Sequence, residues 1–141
     1  MSDRRATESE TWQALRALVL DRNDSRREVC DVLDLSFVRV KALRRIAAGS
    51  ITMRDLAAAL TTDPPYTTLV VNALERRGLV VRTPHPDDGR VRLVTATVEG
   101  RKAARRAEKI LATPPAAVRS LAEDDLEALH RITRTMLAGS G

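Results

Sequence analysis

Apolar residues recur along most of this chain at helical spacing. From Glu8 onward Trp12, Leu15 and Val19 stand three and four residues apart, with Leu18 beside them. After a polar stretch over residues 23–27 the pattern resumes at Val29, Cys30 and Leu33. This predicts one long helix with a kink, restarted by a capping box of Ser25 with Glu28. Ser36 predicts the cap of a helix over 37–48, with Leu35 and Val40 as a hydrophobic staple and Gly49 as its stop. Thr52 with Asp55 three residues on opens a short helix over 53–60, with Leu56 and Leu60 on one face. Asp63 is then an N-cap, Pro64 takes the first helical position, where its missing N–H costs nothing, and Gly78 ends the helix. In that last helix Thr67, Val70, Val71 and Leu74 form a core face, and Thr68, Leu69, Asn72 and Arg76 form the opposite one.

Beyond Gly78 the period changes. Residues 79–83 and 91–96 are β-prone and residues 84–89 are rich in turn formers, which predicts a hairpin with a long tip. Thr97 can cap a further helix through Arg101, Ala104 and Ala107 to Leu111, ended by Pro114 and Pro115. Ser120 with Glu123 predicts one more capping box, before a helix lined by Leu126, Leu129, Ile132 or Thr133, and Met136 and ending near Gly139. The fold class is therefore mainly α with a small β-hairpin. Two short helices joined by a tight turn and followed by a hairpin make a winged helix-turn-helix lobe.

Composition narrows the picture in three ways. Trp12, Phe37 and Tyr66 are the only aromatic residues, so the core must be aliphatic and alanine-built, which favours close helix packing. No run of about 18 apolar residues occurs and the charged N-terminus has no apolar h-region, so neither a membrane span nor a secretory signal is expected and the location is cytoplasmic. Cys30 has no partner for a disulfide, and with only His85 and His130 it cannot complete a four-ligand zinc site, so no metal or other cofactor is expected. No nucleophile with a base and no phosphate loop appears; the Asp87-Asp88 and Asp124-Asp125 pairs fall in a turn and a first helical turn, where acids are common for structural reasons. An enzyme is therefore not expected. Charge is uneven: residues 36–96 carry 10 basic and 5 acidic side chains, whereas residues 1–35 carry 6 and 8. A basic middle implies an anionic partner there.

Two stretches carry a family resemblance. Asp88 and Arg90, followed by Thr97, Glu99, Gly100 and Arg101, are similar to the D-x-R and T-x-x-G-R of the multiple antibiotic resistance regulator (MarR) family. Leu74-Glu75-Arg76-Arg77-Gly78-Leu79-Val80 is similar to its L-E-x-x-G-L-V. The resemblance covers nearly the whole chain. It implies one domain over 1–141, in which 1–35 and 97–141 supply dimerisation helices and 36–96 form a winged-helix DNA-binding lobe. It also implies a homodimeric repressor on a palindromic operator, released by a small-molecule effector. The apolar stripes of the flanking helices agree, because a lobe of about 60 residues is too small to cover them, and Trp12, Leu15, Val19, Leu126, Leu129 and Met136 are the expected dimer interface.

The chain departs from the family where T-R-x-x-D-R usually precedes L-E: it has Thr68-Leu69 and then Asn72-Ala73. Weight shifts to Asn72, which can bond adenine bidentately, to Leu69 against a thymine methyl, and to Arg76 for phosphate, with Thr68 beside them. In the hairpin, Asp88 can orient Arg90 for a narrow, negative minor groove, and Arg92 along the same strand face is a backbone contact. The expected partners are double-stranded DNA, a second copy of the chain and a small-molecule effector, with no membrane. The alternatives are an architectural, sequence-tolerant DNA-binding protein, favoured by the sparse reading helix, and a winged helix that docks another protein. Cys30 on an apolar helix face reads as inert core rather than as a redox sensor.

Overall fold

The computed structural model describes residues 2–22 and 24–140. Helix α1 (Ser2–Arg16) starts six residues before the apolar pattern does, and it runs into a π-helical segment, Ala17–Asp21, that the 3.6-residue pattern did not anticipate. The break falls where the polar stretch placed it, although Asn23 itself lies outside the described residues. The N-cap position of α2 (Ser25–Leu33) is held by Asp24, and Ser25, predicted as the cap, is already the first helical residue. Helix α2 ends on Asp34 in the left-handed region (φ 51°), a cap that glycine or asparagine usually supplies.

Helix α3 (Phe37–Ala47) follows Ser36, which is extended as an N-cap should be but makes no side-chain capping bond. Leu35 and Val40 are both buried, as the staple requires. Thr52 Oγ1 accepts from the Asp55 N–H (3.1 Å) at the start of α4 (Met53–Leu60). Asp63 Oδ1 accepts from the Tyr66 N–H (2.7 Å) at the start of α5 (Pro64–Arg76). Arg77 and Gly78 then close α5, and Gly78 takes φ +70°, a region that costs a glycine little. The buried face of α5 comprises Thr67, Val70, Val71, Ala73 and Leu74. Thr67 is fully buried with its hydroxyl donating to the Asp63 carbonyl (2.8 Å), so this polar group is satisfied.

The sheet has three strands rather than two. Strands β2 (Val80–Pro84) and β3 (Arg92–Ala96) form the hairpin in the register Val80 opposite Ala96 and Arg82 opposite Val94, and the two-residue β1 (Ile51–Thr52) pairs antiparallel to β3 on its other edge. Helix α6 (Val98–Ala112) ends at Thr113, which is extended as a residue before proline must be. A short helix α7 (Ala116–Arg119) precedes α8 (Glu123–Ala138), whose N-cap is Ala122; the predicted box of Ser120 with Glu123 is absent, because Ser120 closes α7 instead.

The core is aliphatic. Val29, Leu33, Leu43, Ile46, Leu56, Val71, Leu74, Val80, Val94 and Ala107 all lie within it, while Trp12 and Tyr66 are exposed and Phe37 sits at its margin beneath the Arg26 guanidinium (4.0 Å to the ring centre). Cys30 is half-buried against the same core. The principal packing contacts run among α2, α3, α4, α5, α6 and the sheet, and apart from the contact of α1 with its own π-helical continuation none of them involves α1 or α8. No helix among the described residues is long and apolar enough to cross a membrane.

Candidate nucleic-acid interface

The outer face of α5 and the hairpin tip are both exposed, and β2 of the hairpin packs against α5. Since Thr67, Val70, Val71 and Leu74 are turned inward, Thr68, Leu69 and Arg76 are left on the exposed side, with Leu69 61% exposed despite its apolar side chain. The Thr68 hydroxyl donates to the Pro64 carbonyl one turn back (3.0 Å), so what it offers outward is a methyl group and acceptor lone pairs. Arg76 makes no hydrogen bond or ion pair among the described residues, which leaves its guanidinium available.

Asn72 stands differently. It is half-buried, and its Oδ1 accepts from Nη2 of Arg82, which reaches over from β2. The Nε of Arg82 donates to Glu75 Oε2 (2.9 Å), so a single guanidinium ties α5 to the hairpin at two points. The bidentate adenine contact expected of Asn72 needs the same oxygen that Arg82 occupies. Sequence reasoning did not identify Arg82; the only available signal was the fixed distance from Glu75 to the strand that follows the Gly78 turn.

The tip is ordered by short local bonds. The His85 N–H donates to the Val91 carbonyl (2.8 Å), the Val91 N–H to the Asp88 carbonyl (3.0 Å), and the Asp87 N–H to His85 Nδ1 (3.1 Å). Asp88 Oδ1 accepts from the Arg90 backbone N–H (3.1 Å) and from Arg90 Nε (3.4 Å). The Arg90 side chain is otherwise 94% exposed, so that pair contributes little to stability and leaves the charge available for a partner. Strand β3 begins only at Arg92, which puts Arg90 on the tip and not on one strand face with Arg92. Arg92 is exposed.

The T-x-x-G-R stretch proves to be a brace. Thr97 caps α6 through the Gly100 N–H (3.0 Å), donates its hydroxyl proton to the Gly78 carbonyl (2.6 Å), and donates its N–H to the Leu79 carbonyl (3.0 Å). Arg101 Nη1 donates to the Ala96 carbonyl (3.0 Å). Gly100 is buried so tightly that a Cβ there would lie 1.8 Å from the Leu79 oxygen, which is why this position has no side chain. On the opposite side Arg77 donates to the carbonyls of Asp34 (2.7 Å) and Leu33 (3.0 Å), fastening the end of α5 to the end of α2, another contact not evident from the sequence.

The remaining predicted residues lie away from this surface. Trp12, Val19, Leu126 and Met136 are exposed on α1, its continuation and α8, and Leu15 and Leu129 are half-buried there.

Residues 35–91 match the model of the MarR family. An HTH-type transcriptional regulator of Mycobacterium tuberculosis is 39% identical over 79 residues, which cover 53% of this chain and 55% of that protein; the chain thus spans about half the length of the curated relatives it matches. Among solved structures, a MepR mutant of S. aureus superposes with a TM-score of 0.79 at 20% identity, covering 94% of this chain and 98% of the other. A MarR mutant of E. coli complexed with operator DNA gives 0.62 at 23% identity, covering 91% and 96%. At such identities these likenesses establish the fold, a winged helix with flanking helices.

Proposed function

We infer that this chain is a transcription regulator of the MarR family that binds double-stranded DNA as a homodimer, a reading supported by the match of residues 35–91 to that family's model. The observation that carries this reading is that the outer face of α5 and the Arg90 guanidinium, held only loosely by Asp88, are both exposed on one basic lobe and are left uncovered by the described residues. Thr68, Leu69, Asn72 and Arg76 would meet the major groove, and Arg90, steadied by Asp88, the adjacent minor groove, with Arg92 on the backbone. Repression, and release by a small-molecule effector, belong to this proposal; so does the division into dimerisation helices over 1–35 and 97–141 and a DNA-binding lobe over 36–96. The E. coli MarR mutant that shares this fold is complexed with operator DNA, which supports the reading.

A dimer is proposed because α1, its continuation and α8 expose Trp12 (61%), Val19 (56%), Met136 (49%) and Leu137 (75%), uncovered by any element among the described residues. Several large apolar side chains left exposed on the same helices are what an interaction face requires. Sedimentation at micromolar concentration should return a dimer, and Leu126→Asp together with Met136→Asp should return a monomer; a wild-type monomer would remove this part of the reading.

Two recognition helices related by a two-fold axis contact successive turns of one DNA face, so the operator should be an imperfect palindrome with half-sites roughly 10 base pairs apart. Selection from random duplexes, with affinity for the selected site compared with bulk DNA at fixed salt, tests the function directly. Enrichment of a palindrome is expected. Equal affinity for all duplexes would favour the architectural alternative.

A further inference from the structure

The network at the junction of α5 and the hairpin has a consequence for which base the chain selects. Guanidinium nitrogens carry donors only, so the half of the Asn72 amide that faces Arg82 must be its oxygen. The arginine is itself held, since its Nε is bonded to Glu75 Oε2 at 2.9 Å and its side chain is only 24% exposed. With the oxygen turned inward, the polar group that Asn72 has left to offer is its NH2, a pair of donors. Leu69 and Arg76, three residues before and four after, place it on the face assigned to the major groove.

Resting on the DNA-binding reading above, we propose that Arg82 is a specificity-positioning residue that converts Asn72 into a donor-only reader selecting guanine and rejecting adenine. Guanine presents two acceptors, O6 and N7, in the major groove, whereas adenine presents N7 beside an amino donor. An asparagine free to turn both halves outward satisfies adenine; one whose oxygen is held leaves the adenine amino group facing another donor. A good pair of base contacts discriminates by about tenfold or more, and that is the preference expected at the base pair facing Asn72.

The test is selection from random duplexes, followed by titration of single base-pair substitutions, using the full-length chain and three variants. Asn72→Ala locates the position, as the one where preference disappears. There the wild type should favour guanine over adenine by about tenfold. Arg82→Met keeps the aliphatic stem but frees the amide oxygen, and it should move the preference toward adenine. Asn72→Asp keeps the inward bond to Arg82 and removes the outward donors, so it should lose the preference for guanine while its melting temperature stays close to wild type. A purely structural role for Arg82 would weaken binding to all sites alike without changing the favoured base. Should Arg82→Met fail to fold, Asn72→Asp decides alone: retention of the guanine preference overturns the proposal. A wild-type preference for adenine, or no position that depends on Asn72 in an enriched site, overturns this inference and leaves the regulator reading standing. Failure to enrich any site overturns both.

Discussion

Replacing Gly100 by alanine is expected to cost the fold about 3 kcal/mol or more, a large share of the roughly 5–15 kcal/mol that holds a domain of this size together. The new methyl would stand 1.8 Å from the Leu79 carbonyl oxygen and 2.9 Å from its carbonyl carbon, both backbone atoms that cannot swing aside. Moving that carbonyl breaks the bond it accepts from the Thr97 N–H and disturbs the neighbouring Thr97 contact to Gly78. Alanine also gains about 0.8–1 kcal/mol of helix propensity over glycine, which offsets a fraction of the clash. The net effect should appear as a fall in melting temperature on the order of 10 °C. Gly49→Ala is the control, since a Cβ there meets nothing within 4 Å. If the two variants melted together near the wild-type temperature, the brace would not hold the hairpin as described.

Arg90→Ala tests the tip in the opposite way, with the fold kept and the partner lost. The side chain is 94% exposed and pairs only loosely with Asp88, so thermal stability should be unchanged. If each subunit of a dimer places this arginine in a minor groove, two charged contacts go per operator. Affinity should then drop by about tenfold to a hundredfold. The dependence of log K on log salt should become shallower by about 1.8, roughly 0.9 for each lost phosphate-neutralising charge. Asp88→Ala should give a milder loss with little change in salt slope, because it frees the arginine without removing its charge. Fluorescence anisotropy at several salt concentrations separates these outcomes. Wild-type affinity and slope in Arg90→Ala would mean that the tip does not meet DNA.

Where local chemistry decided the structure, the sequence was readable. Thr52 and Asp63 cap their helices through their own side chains, Gly78 takes the positive φ its position demands, and the phase of α5 follows from four apolar or small residues at helical spacing. Elements decided elsewhere were not readable. Strand β1 is two residues long, too short to show a period, and exists because β3 offers it an edge. Asp34 and Thr61 adopt left-handed conformations with no glycine to announce them. The π-helical segment leaves the apolar spacing nearly unchanged, so the pattern cannot register it. The same holds for the site: Leu69, Arg76 and Arg90 were visible as exposed positions, whereas the grip of Arg82 on Asn72 is a meeting of two elements that only tertiary packing brings together.

Arg77 fastens the end of α5 to the carbonyls of Leu33 and Asp34, one residue short of the chain's passage from α2 into the lobe. Helix α5 is thus tied to the helix that precedes the lobe, which itself packs into the lobe's core. If the chain dimerises through its flanking helices, the distance between the two copies of α5 is set by how α2 seats against α5 and α6, as the spacing of caliper jaws is set at their mount. Mutations far from any base could then retune which operator spacing the protein fits, without altering a single residue that touches DNA.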